Sequence, residues 1–283
     1  MALIYPNIVP ENDLRLPDAL TIKHGPAPLL ARFILEADKA ARRNGLLLRV
    51  RHDFDELVYL NAHQLPSGRW FRLVNTFNPQ YTDLSAENSF WVSGEDEHGE
   101  IVATHAGRIF YWPDTNLEEQ AYSMFYGNET GQQCRVTAPA AKLISGVVLS
   151  SGAVWVHPEH RGNQFSHLFA RIGKAYACAR WPLDWAVAYI SRILVERGLA
   201  TGVGHRRLSY SVFYPGSPWG ELEVVVAYSG AQDIYDDLAD FIAREFDDDR
   251  DEISAGISSP SITEDRVTKI SSEGVFQGSS TRS

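Results

Sequence analysis

Residues 28–44 repeat apolar side chains at three- and four-residue spacing, with Leu30, Phe33, Ile34 and Ala37 on one stripe, and so predict an amphipathic helix that Gly45 stops. The period then changes. Residues 46–52 form an apolar run of strand length, Asp53 is a natural N-cap, and residues 54–63 continue as a short helix. Two β-rich runs, 89–93 and 101–112, flank the polar stretch 94–99, which glycine bounds at both ends, and predict a hairpin. Residues 144–156 predict a long strand. The continuous apolar run 185–190 has the character of a central strand, and runs 208–213 and 222–228, joined by the turn-rich 214–218, predict a final pair. In the last helix Ile234, Leu238, Phe241 and Ile242 oppose Asp233, Asp236, Asp237 and Asp240.

The densest functional signal lies at residues 153–168. Val154 and Val156 sit two apart in a strand, Pro158 ends it, and Gly162 permits a tight turn. Phe165, Leu168, Phe169, Ile172 and Tyr176 then recur at helical spacing, so a packed helix begins directly after the turn. Its free amide groups carry roughly half a positive charge at that end. Pyrophosphate fits there through backbone N–H groups, with Arg161 adding a charge able to grip phosphate in bidentate fashion.

In Val156, Pro158, Arg161 and Gly162 this stretch resembles the GCN5-related N-acetyltransferases, whose signature is a strand, Val-x-Pro-x-x-Arg-Gly-x-Gly-x-Gly/Ala and a helix. Gln164 stands where that family has a second glycine, and Ser166 where it has glycine or alanine. The order of elements over about residues 46–230 is also similar to the family's. The resemblance implies an α/β fold with a mixed, mostly antiparallel central sheet flanked by helices, and acyl transfer from acetyl-CoA to an amine by direct attack. It places the donor against Val154, Trp155 and Val156 of the strand and Arg161, Gly162, Asn163, Gln164, Phe165 and Ser166 of the turn. The Trp155 indole, directed away from its neighbours, then serves as core or as a wall of the acceptor pocket.

Acyl transfer needs a base for the amine and a donor for the departing thiolate. The family's frequent acid is a tyrosine at the position that Leu194 occupies here. Ser191 or Tyr189 at the end of the central strand, or Tyr210 on the next one, are the substitutes, and His105 and Glu119 are the candidate bases. Residues 150–152 lack the elbow of a serine hydrolase, and no histidine is signalled beside Cys134, so a covalent route has no support. The alternative of another class is an inactive module of the same fold that binds acyl-CoA or another metabolite for sensing or protein interaction.

Composition narrows the setting. The 283 residues are 44% hydrophobic, enough for a sizeable core. Cys134 and Cys178 have no metal spacing, which points to a reducing, cytoplasmic setting without a structural metal. No signal peptide or membrane-length apolar run is evident. A net charge of −10 argues against nucleic acid, and the acidic face of the last helix gives a slight preference for a cationic acceptor. The acceptor is expected to be a small-molecule or peptide amine, and the oligomeric state is open. The expected organisation is an N-terminal extension with one helix over 1–45, the acyltransferase-like unit over 46–246, and a disordered acidic and serine-rich tail over 247–283.

Overall fold

The computed structural model describes residues 13–67, 70–162, 164–213 and 224–247. The elements run β1 (Asp13–Arg15), α1 (Ala27–Arg43), β2 (Leu47–Arg51), α2 (Phe54–Gln64), β3 (Ser89–Glu95), β4 (Ile101–Trp112), α3 (Leu117–Tyr126) and β5 (Arg135–Val136). There follow β6 (Gly146–Val156), α4 (Phe165–Arg180), β7 (Trp185–Ser191), α5 (Arg192–Glu196), α6 (Leu199–Gly202), β8 (Arg207–Phe213), β9 (Val224–Gly230) and α7 (Ala231–Ile242). Local chemistry explains the well-marked starts: Asp53 Oδ1 accepts from the amides of Asp55 and Glu56 at 2.9 and 3.2 Å to cap α2. The expected link 214–218, Leu222 and residues 248–283 lie outside the described residues.

The described strands form one mixed sheet in the order β1-β2-β3-β4-β6-β7-β9-β8-β5. Every described pair is antiparallel except β6 with β7. The sheet is thus mostly antiparallel, with helices on both faces. On one face α1, α4 and α7 share a core with Leu48, Val92, Leu149 and Ala186. On the other, α2 packs near Trp91 and Trp155, and α3 packs near Val148, Val187 and Val226.

Three details depart from the pattern reading. Residues 13–15, for which the pattern predicts no element, pair with β2 as an edge strand. The short β5 joins the opposite edge, against β8. Gly94, expected in the hairpin turn, continues β3 opposite Ala103, at a position where a side chain would strike the Phe169 ring from α4. The turn itself is tighter, closed by Asp96 N donating to Glu100 O and Gly99 N to Asp96 O.

Pairing of β6 with β7 covers Val148–Trp185, Leu149–Ala186 and Ser150–Val187, and then stops. From there β6 remains paired to β4 as far as Val156, and β7 to β9 as far as Ser191, while the two separate from each other. A bulge in β6 accompanies the separation: the register with β4 shifts between Thr104 and Ala106, and Ala153 takes φ 50°. The sheet therefore opens into a V.

An ionic cluster fixes the helix that borders this opening. Arg171 of α4, almost fully buried, makes a fork to Asp237 of α7 at 2.8 and 2.9 Å and donates to Gly202 O at 2.5 Å. Lys174 donates to Val203 O and Gly204 O at 2.6 and 2.7 Å. Removing the carboxylate would leave the buried Arg171 guanidinium without its ion-pair partner. Asp237→Ala is therefore expected to lower stability by about 3–5 kcal/mol, read from the urea midpoint.

Candidate functional site

The opening between β6 and β7 continues into a cleft of about 810 Å³. Its walls include Trp70, Phe77 and Phe125 beside one sheet face, and Ala170, Leu199, Val203 and His205 beside the other. It thus passes through the sheet at the V. Val154, Trp155, Val156, Arg161, Gly162, Gln164, Phe165 and Ser166, singled out by the sequence, all line it, whereas Asn163 lies outside the described residues.

The turn at one end is built for close approach. Gly162 has φ +99°, a conformation open to glycine, and nothing lies within 4 Å of where a side chain would begin. Arg161 Nε donates to Val156 O at 3.1 Å, which tethers the turn to the end of β6. Gln164, where the resemblance expects glycine, is exposed and left-handed at φ 54°, ψ 20°. The backbone here follows a glycine-like path despite a side chain, at a cost of roughly 1–2 kcal/mol. The first turn of α4 contains no acidic residue and its N-terminus has no side-chain cap, while Gln164, Phe165 and Ser166 at this end line the cleft.

The candidate acid and base residues separate by position. Ser191 and Tyr189 line the cleft, and the Tyr189 hydroxyl donates to Met124 Sδ at 3.3 Å. Leu194, where the resemblance expects tyrosine, also lines it and brings no hydroxyl. Tyr210, 45% exposed on β8, and Glu119, exposed near the start of α3, are not among the lining residues. Glu119 instead accepts from Thr115 Oγ1 at 2.6 Å and Asn116 Nδ2 at 3.1 Å, completing the N-terminal cap of its helix. His105 is fully buried behind the strand, its Nε2 2.8 Å from Ser151 Oγ. Burial, together with the Lys174 charge, pushes His105 down to about 3 and keeps its ring neutral.

One further residue stands out. His205 lines the cleft at 3% exposure, and neither of its ring nitrogens has a hydrogen-bond partner among the described residues. Burial lowers its pKa well below the usual histidine value, aided by Lys174, His105 and Arg171. In sequence it is a lone histidine between a glycine and two arginines, with no spacing to link it to the turn. Trp70 was equally hidden; it stacks on Trp155 with ring centroids 5.0 Å apart. Among the described residues no group of three or more His, Cys, Asp or Glu side chains is placed to hold a metal, and no helix is long and apolar enough to cross a membrane.

No protein-family model matches the chain. No curated protein matches it either. Among solved structures it is similar to Arabidopsis thaliana NAA60 in complex with acetyl-CoA, at 11% identity and TM-score 0.41, over 65% of this chain and 99% of that one. It is similar to an acetyltransferase of the GNAT family from Streptococcus pneumoniae at 12% identity and TM-score 0.37, over 65% and 99% of the two chains. The spermidine N-acetyltransferase of Vibrio cholerae in complex with CoA and spermine gives 12% identity and TM-score 0.32, over 77% and 98%. At these scores and identities the likeness decides neither activity nor acceptor, which rest on the geometry of the cleft.

The buried rings give the fold a pH dependence. His105 and His205 are both lowered when folded, so below the ordinary value of 6.5 the unfolded chain binds protons that the folded chain refuses. Their contribution to stability is complete above pH 6.5 and is lost as pH falls toward the folded values. Each ring is expected to cost about 1.4 kcal/mol per pH unit in that window. Denaturant titrations at pH 7, 6 and 5 check this, with His205→Gln expected to reduce the slope by about one proton.

Proposed function

We propose that the protein transfers an acyl group from coenzyme A to an amine, with acetyl-CoA as donor, by direct attack of the amine on the thioester. The observation that carries this reading is the V between β6 and β7, which leads from the turn before α4 through the sheet to an aromatic chamber. Arg161 and the first amides of α4 hold the pyrophosphate, because both supply positive charge at a glycine turn open to the cleft. Along β6 beyond Ser150 the backbone has lost β7 as a partner and is left to bond the pantetheine arm and to polarise the thioester carbonyl.

The departing sulfur requires a donor, and Leu194 has none to give. His205 fills that role: a neutral imidazole retains one N–H, and this residue lines the cleft with both ring nitrogens buried and unpartnered among the described residues. Lys174 and Arg171, whose charges help keep His205 neutral, also fix the segment just before it through Gly202, Val203 and Gly204. Ser191, at the end of β7 with no cap bond from its hydroxyl, is the second polar group on that rim.

Calorimetric titration tests the pyrophosphate assignment. Arg161→Ala is expected to bind acetyl-CoA about tenfold or more weakly than the parent, for a lost charge-assisted contact of roughly 1.5–3 kcal/mol. Equal affinities would remove this turn as the phosphate site, and no binding by the parent would remove the acyl-CoA reading. His205→Gln is expected to keep donor affinity while kcat falls by about a hundredfold, the scale for losing one donor to a developing anion. An unchanged kcat would free the ring of this role.

A further inference from the structure

The chamber on the α2 and α3 side of the sheet has a composition at odds with the chain as a whole. The protein carries 36 Asp and Glu residues, yet none lines the cleft among the described residues. Its charged side chains there are Arg72 and Arg161. The walls on this side are Trp70, Phe77, Phe125, Trp155 and Tyr189, with Phe71 at the mouth, 59% exposed. The acidic face of α7 is turned elsewhere: Asp233 pairs with Arg207 at 3.0 Å, Asp240 with Arg206 at 2.5 Å, and Asp237 with Arg171.

We infer that the acceptor is an amine on an aromatic or apolar body with no second positive charge, an arylalkylamine in chemical class, and that the chamber takes it in its neutral form. The inference rests on the acyl-transfer reading above. A di- or polyamine would bring a second ammonium group into a lining whose charged side chains among the described residues are arginines, with no carboxylate among them to pair it. Among the described lining residues no carboxylate stands ready as a base, and burial keeps the His205 ring neutral. An apolar chamber with Arg72 as its charged side chain among the described residues disfavours the ammonium form, so the amine sheds its proton to solvent as it enters. In the transfer the neutral nitrogen forms a bond to the thioester carbon, the carbon–sulfur bond breaks, the nitrogen loses its extra proton to solvent, and the thiolate takes a proton from His205, which solvent restores, to leave as coenzyme A.

Initial rates with acetyl-CoA and either phenethylamine or 1,4-diaminobutane test this on the full chain, with acetyl-CoA affinity measured separately by calorimetry. The expected result is a kcat/KM at least tenfold higher for phenethylamine, rising with pH up to the amine's own pKa. Phe71→Glu, at an exposed site, is expected to narrow that preference several-fold by placing a carboxylate at the mouth. Equal or better use of the diamine, a profile that levels off far below the amine's pKa, an unchanged preference in Phe71→Glu, or donor binding without transfer to phenethylamine would each overturn the acceptor assignment. Absence of acetyl-CoA binding would instead overturn the acyl-transfer reading on which it rests.

Discussion

Everything distinctive about this molecule follows from two neighbouring strands that cease to be neighbours. After Ser150 and Val187, β6 and β7 no longer exchange hydrogen bonds, so the middle of a continuous sheet contains polar backbone that a closed sheet would have paired. Such groups are costly to bury, and they are tolerated where water or a ligand can reach them. The cleft provides that access. The bulge at Ala153 lets β6 bend away while keeping its bonds to β4, so the opening is confined to one seam.

The opening also needs a rigid frame, and the ionic cluster on α4 supplies it. Arg171 and Lys174 lie near the middle of the helix whose first turn faces the cleft. They bind α7 through Asp237 and the chain segment 202–204 through backbone carbonyls. One set of contacts thus fixes two features of the site, the direction of the helix end and the position of His205. A buried cluster of this kind contributes little net stability compared with an apolar core, and its benefit is geometric.

How much of this was legible in the sequence differs by the range of the interaction. The helix stripes of α1, α4 and α7 and the strand-turn-helix around Gly162 depend on spacing within a dozen residues, and they appear where the pattern places them. Residues 13–15 and 135–136 are too short to show a period and become strands because a long neighbour offers an edge. His205 and Trp70 were invisible for a related reason. Their surroundings come from α4 and from β6 respectively, and nothing nearby in the chain marks them. Glu119 illustrates the converse: a side chain with suitable chemistry is absorbed by the cap of its own helix, which local spacing to Asn116 could have signalled.

The placement of β5 has a consequence for the order in which the molecule assembles. This strand follows α3 directly, yet Arg135 and Val136 pair with Phe213 and Val212 of β8, across the far edge of the sheet. During synthesis, α3 and its Phe125 emerge long before the edge that holds the adjoining segment exists. Contacts that distant in sequence form late, because loop closure must precede them. The aromatic wall of the cleft is therefore completed after the strands around it, and β6 and the turn at Gly162 are synthesised well before the edge that closes this wall.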